Sequence, residues 1–209
     1  LCSSVLSIKM KKIKQEPPKY LSAEAVQQIL SKPNAKTKEG IRDLAILSLL
    51  YDSAIRVQEL VDLKVGDISI HDRPVIRVVG KGRKIHTIPI SKQTANILKL
   101  YTSNLEEKES LLFQNRSANK LTRTGITYII NKYVKQVMKE FPDLINIKVT
   151  PHIMRHSKAT HLLNAGVNLI YIRDLLGHSS ITTTEIYASA NPDFLRSAIE
   201  KASISVVTS

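Results

Sequence analysis

His152 and Arg155 stand three residues apart in the stretch Thr150-Pro-His-Ile-Met-Arg-His156. Thr150 is a good helix N-cap, and Pro151 suits the first helical position. The apolar pattern that follows runs to Leu163, and Gly166 is a natural stop. Both side chains therefore belong to the first turn of one helix and share a face. That turn carries unpaired backbone N–H groups and the positive end of the helix dipole. A histidine and an arginine presented from there suit an anion, a phosphate above all.

Other groups with chemical potential are spread along the chain. Arg56 lies in Ala54-Ile-Arg56-Val-Gln-Glu-Leu60, directly after an apolar helical pattern. Lys81, Arg83 and Lys84 load the turn Gly80-Lys-Gly-Arg83 and its exit. His178 ends Leu176-Gly-His178, and Tyr187 follows nine residues later in Thr184-Glu-Ile-Tyr187. Taken singly, each has a bland explanation. Arg56 fits a surface salt bridge, Lys81 a charged turn that blunts a sheet edge, His178 a helix cap and Tyr187 a half-buried core position. His152 and His156 also have the spacing of two zinc ligands in a His-Glu-x-x-His helix. Residue 153 is Ile, however, so the general base of that motif is missing, and Arg155 would set a positive charge beside the metal. His156 therefore reads as a structural or ligand-facing histidine.

The elements that must position these groups follow from periodicity and caps. Ser22 caps a helix with Ala25, Val26, Ile29 and Leu30 on one face, stopped by Pro33. The span from Thr37 to Tyr51 has a wide apolar face, as a central buried helix requires. Arg56 then opens a short helix, Val57 to Leu63. From Asp67 the period becomes two. Ile68 and Ile70, then Val75, Arg77 and Val79, then Ile85, Thr87, Ile88 and Ile90 mark three short strands. Helical patterns return over 91–100, 122–141, 150–163, 168–176 (closed by Gly177) and around 182–188. A last amphipathic stretch with Phe194, Leu195, Ala198 and Ile199 follows Pro192.

Composition narrows the partner. The 209 residues are 43% hydrophobic, with a net charge of +13 and a pI near 9.8. This is enough apolar material for a sizeable core and calls for a polyanionic partner. The longest apolar run, Leu44 to Tyr51, is far too short to span a bilayer. Aromatic residues make up 5% and Trp is absent, which disfavours stacking on single strands and favours duplex DNA held by its phosphates. A single cysteine, Cys2, leaves no internal disulfide and no multi-cysteine zinc site, and it fits a reducing cytoplasm. Residues 1–19 form a basic linker or tail, with Lys9, Lys11, Lys12, Lys14 and Lys19 around Pro17-Pro18. It is either a solvated arm or a strap along DNA phosphates.

Arg56, Lys81, His152-x-x-Arg155, Leu-Gly-His178 and Tyr187, in that order, resemble the signature of the tyrosine recombinase (phage integrase) family, especially its compact Xer-type members. The resemblance covers about Tyr20 to Lys201. It implies an α+β, mainly α catalytic domain over 20–190, with a helical core and a small three-stranded antiparallel sheet at one edge. Residues 191–209 would be a C-terminal helix and tail, exchanged between protomers. The implied chemistry is cleavage and rejoining of duplex DNA through a 3′-phosphotyrosine at Tyr187. Arg56, Arg155 and His178 would stabilise the phosphate, His152 would take the phenolic proton, and Lys81 would protonate the leaving 5′ oxygen, with Lys84 as its alternative. Two arginines make a metal unnecessary, and no cofactor is called for. The implied partners are duplex DNA and further copies of the chain in a tetrameric synapse, with room for accessory proteins, in a cytoplasmic, nucleoid-associated setting. In the family a helical DNA-binding domain normally precedes the catalytic one; these 209 residues leave no room for it, so it is either cut away or dispensable, and Ile55 stands where Thr is more usual. A type IB topoisomerase and a non-catalytic DNA-binding module are the alternatives.

Overall fold

Helix α2, Lys38–Asp52, is apolar on nearly every side of its second half, and Ala45, Ile46, Leu47, Leu49 and Leu50 are fully buried. A helix of that kind needs neighbours all round. In the computed structural model it packs against α1 (Ala23–Ser31), α3 (Val57–Asp62), α4 (Lys92–Thr102), α5 (Arg123–Glu140) and α6 (Pro151–Asn164). Helix α7, Leu169–Leu176, lies against α6. The structure describes residues 19–80, 85–103, 105 and 108–177.

Local chemistry starts these helices where the sequence reading places them. The side chains of Ser22, Thr37, Ser91, Thr122, Thr150 and Asn168 each accept a backbone N–H from the first turn of the helix they cap. Each such cap contributes about 1 kcal/mol.

Strands β1 (Ile68–Ser69), β2 (Val75–Val79) and β3 (Ile85–Pro89) form one antiparallel sheet in that order, with Ile76 opposite both Ile68 and Ile88. The fold is therefore mainly helical with a small three-stranded antiparallel sheet, as expected. Two details differ. The first strand is only two residues long and excludes Ile70. On β2 the buried residues are Ile76 and Val78, whereas Val79 is 64% exposed. Both phases of that strand carry apolar residues, so alternation marks a strand without marking its inner face.

One buried charge ties the helices together. Asp43 is fully buried on α2 and accepts from Arg42 (2.7 Å), Tyr133 Oη (2.8 Å) and Lys132 (3.2 Å). Paired in this way, the carboxylate links α2 to α5. Among the described residues, no helix is long and apolar enough to cross a membrane.

Candidate active site

Arg56 is the N-cap residue of α3, where the helix dipole opposes a cation. Glu59, one turn on, offsets this. Its carboxylate accepts from the Arg56 backbone N–H at 2.9 Å and from Arg56 Nη1 at 2.8 Å. The other arm, Nη2, donates to the carbonyl of Gly177 at 3.0 Å. The side chain keeps 42% of its surface exposed, so the guanidinium is held at its back and open to solvent at its front.

Arg155 is only 6% exposed and projects inward from α6. Its Nη1 donates to the carbonyl of Ala54 at 2.5 Å, and its Nη2 donates to the carbonyl of Leu176. Ala54 follows α2 with φ at +50°, a left-handed conformation in a fully buried residue. Such a turn costs about 1–3 kcal/mol and persists only where its surroundings hold it. Here the Arg155 bond and the small cluster of Ala54, Ala159, Leu163, Ile172 and Leu176 do so. The face that His152 and Arg155 share thus divides by depth, with His152 at the surface and Arg155 beneath.

The carbonyls of Leu176 and Gly177 are consecutive and lie at the C-terminal end of α7, the negative end of its dipole. One accepts from Arg155 and the next from Arg56. Two arginines 99 positions apart in sequence (155 − 56) are thereby brought to one helix end. His178 is the next residue of the chain. Gly177 makes the turn possible with φ at +57°.

His152 lies on the first turn of α6, in Nε2-to-Nε2 contact with His156. Partial burial pushes its pKa below the ordinary histidine value, and the charge of Arg155 pushes the same way. Both effects favour the uncharged ring, the form able to accept a proton. No third His, Cys, Asp or Glu joins the pair in a metal-holding group among the described residues. Deeper on α6, Ser157 Oγ accepts from the backbone N–H of Leu21 at 2.9 Å, and His161 Nε2 meets the Leu21 carbonyl at 2.9 Å. The helix that carries His152 and Arg155 thus also anchors the start of the described chain.

The structure brings Arg56 and Arg155 together and places His152 one turn before Arg155. Lys81, its alternative Lys84, His178 and Tyr187 lie outside the described residues, as do 1–18 and 178–209. Val79 and Ile85 are the last described pair between β2 and β3. Sequence reasoning missed Glu59, Ala54 and the paired carbonyls. The i, i+3 spacing of Arg56 and Glu59 was visible, whereas a backbone carbonyl leaves no trace in residue type.

Comparison with known proteins bears on this arrangement. The model of the phage integrase family matches residues 19–193. The chain is 36% identical to the tyrosine recombinase XerA of Pyrococcus horikoshii over 207 residues, covering 98% of this chain and 68% of the relative. It is also 36% identical to the tyrosine recombinase XerD of Listeria monocytogenes, covering 88% of this chain and 62% of that relative. Among solved structures, XerA recombinase superposes with a TM-score of 0.73 at 27% identity, over 88% of this chain and 65% of the other. XerH site-specific recombinase bound to its difH substrate superposes with a TM-score of 0.70 at 25% identity, over 92% of this chain and 56% of the other. The chain thus spans about two thirds of the length of the curated relatives it matches.

Proposed function

We propose that this chain, which belongs to the phage integrase family, cuts and rejoins duplex DNA at a specific sequence through Tyr187. The observation that carries this reading is the pair of guanidiniums held by the consecutive carbonyls of Leu176 and Gly177, with His152 one turn away on α6.

In this reading the Tyr187 oxygen attacks the scissile phosphorus and its proton passes to His152. The P–O bond to the 5′ oxygen breaks as Lys81, or Lys84 in its place, supplies a proton. Charge gathering on the non-bridging oxygens is met by Arg56, Arg155 and His178. Each such preorganised donor accounts for about a hundred- to a thousandfold in rate, and the base for about a hundred- to ten-thousandfold. The phosphotyrosine link conserves the energy of the broken bond, so a second 5′ hydroxyl can reseal the strand without ATP. The arginines neutralise the phosphate, and the scheme routes no step through a metal or cofactor.

The domain division 1–19, 20–190 and 191–209 belongs to the same proposal. So does assembly of further copies on DNA as a tetrameric synapse, in the cytoplasm. The net charge of +13 supports duplex DNA as partner. The relatives named above as recombinases, and a transposon integrase of like fold solved in complex with circular intermediate DNA, support the same partner.

Covalent capture tests the proposal. The protein is mixed with a randomised library of nicked duplexes, so that cleavage releases a short piece and cannot reverse. Adducts that map to Tyr187, vanish in Tyr187→Phe and share a sequence are expected. Adducts without a shared sequence would replace the recombinase with a topoisomerase-like enzyme. Binding without adducts would reduce the chain to a DNA-binding module.

A further inference from the structure

The contact between His152 and His156 has no part in the roles assigned above. The rings lie four residues apart on α6 and meet edge to face, with centroids 3.9 Å apart and planes at 83°, through their Nε2 atoms. Two ring nitrogens in hydrogen-bond contact hold one proton between them, because one must donate and the other accept. The partner of one imidazole nitrogen therefore decides what the other nitrogen can do.

We propose that His156 is a positioning residue for the His152 base: it accepts from Nε2–H of His152, fixes the ring, and leaves the Nδ1 lone pair to take the phenolic proton of Tyr187. The inference rests on the recombinase reading for its proton donor. The Tyr187 O–H bond breaks, its proton moves to His152 Nδ1, and the oxygen pair forms the new bond to phosphorus. His152 then carries the charge, and its Nε2–H becomes a stronger donor to His156. A carboxylate orients the histidine in the same way in a Ser-His-Asp triad. Here the orienting group is neutral. It holds the ring without adding a carboxylate that would pair with Arg155, and without cancelling the positive field of the first helical turn.

The test uses the whole chain and three variants. His156→Leu and His156→Met remove the acceptor. His156→Gln keeps a carbonyl oxygen within reach. Residue 156 is only half-buried, so all three are expected to melt cooperatively near the wild type. Imidazole ¹⁵N shifts of the DNA-free protein at neutral pH report which His152 nitrogen is protonated. Wild type and His156→Gln are expected to hold the proton on Nε2, and the two apolar variants to lose that preference. Cleavage of a nicked duplex recovered by the capture experiment is expected to slow about tenfold to a hundredfold in the apolar variants. It should stay within about threefold in His156→Gln, below the cost of losing the base itself. Apolar variants with the wild-type tautomer and the wild-type rate would overturn the inference. Wild-type protein that cuts no duplex would instead overturn the recombinase reading, while the tautomer data would still decide the ring pairing.

Discussion

The Nη2 of Arg56 donates to the carbonyl of Gly177 across 121 residues of chain, at 3.0 Å. A residue at the start of α3 is thereby fixed by the last turn of α7, and the next carbonyl back, that of Leu176, fixes Arg155. The end of one short helix sets the separation of two charges.

Gly177→Ala tests that arrangement gently. At φ +57° a side chain is strained wherever it points. The added Cβ would stand 3.5 Å from Arg56 Nη1, an ordinary contact. The expected loss in urea unfolding is about 1 kcal/mol, the cost of the left-handed conformation alone. A loss above about 3 kcal/mol would mean that the methyl displaces Arg56.

Lysine substitutions should separate the structural share of each arginine from its chemical share. Arg155→Lys keeps the charge but cannot reach both the Ala54 and Leu176 carbonyls with a planar fork. It is expected to cost about 1–3 kcal/mol, because a buried carbonyl loses its donor. Arg56→Lys disturbs a half-exposed, solvent-screened pair with Glu59 and is expected to cost under about 1 kcal/mol. Both should slow single-turnover cleavage by about a hundred- to a thousandfold. Equal stability losses would contradict the difference in burial.

Replacing the bridging 5′ oxygen of a nicked duplex by sulfur distinguishes Lys81 from Lys84. A thiolate leaves without a proton, so the variant that lacks the general acid should regain its rate on sulfur. Lys81→Ala is expected to lose about a hundred- to ten-thousandfold on the oxygen substrate and recover on the sulfur one. Lys84→Ala should respond alike to both. The reverse pattern would transfer the role to Lys84.

Stability should rise with pH across the lower side of the histidine range. His161 is pushed below its ordinary value by burial and by Lys158, against the opposing pull of the Leu21 carbonyl. Its Nδ1 contacts Tyr51 Oη at 2.7 Å and its Nε2 contacts the Leu21 carbonyl at 2.9 Å, a neutral ring with one acceptor and one donor nitrogen. Below the unfolded value near 6.5 the unfolded chain takes up a proton more readily than the folded one, so stability falls as pH falls through that window. His152, shifted the same way, adds to the slope. Glu39, held down to about 2 chiefly by Lys132 and then Arg116, acts only at lower pH. His161→Gln keeps a donor and an acceptor without titrating. Its melting temperature is expected to change less between pH 5 and pH 7 than that of the wild type. An unchanged slope would remove His161 as its source.

The helix starts at Ser22, Thr37, Ser91, Thr122, Thr150 and Asn168, the three strands and the closing Gly177 were all legible in the chain. Each depends on interactions within about four residues, which residue type alone can express. The order Arg56, Lys81, His152, Arg155, His178, Tyr187 carried the family resemblance in the same way, and the net charge carried the expectation of a polyanion. The depth of Arg155 was not legible, because it depends on carbonyls 101 and 21 residues away. Nor was the inner face of β2, where Val79 looked as apolar as Ile76 until the helices covered one side. Ala54 at φ +50° left no signal at all, since an alanine takes that conformation only when its surroundings compel it. Local hydrogen bonding and charge were thus written in the sequence. Which groups lie inside and which carbonyls hold the arginines were decided only when distant segments packed together.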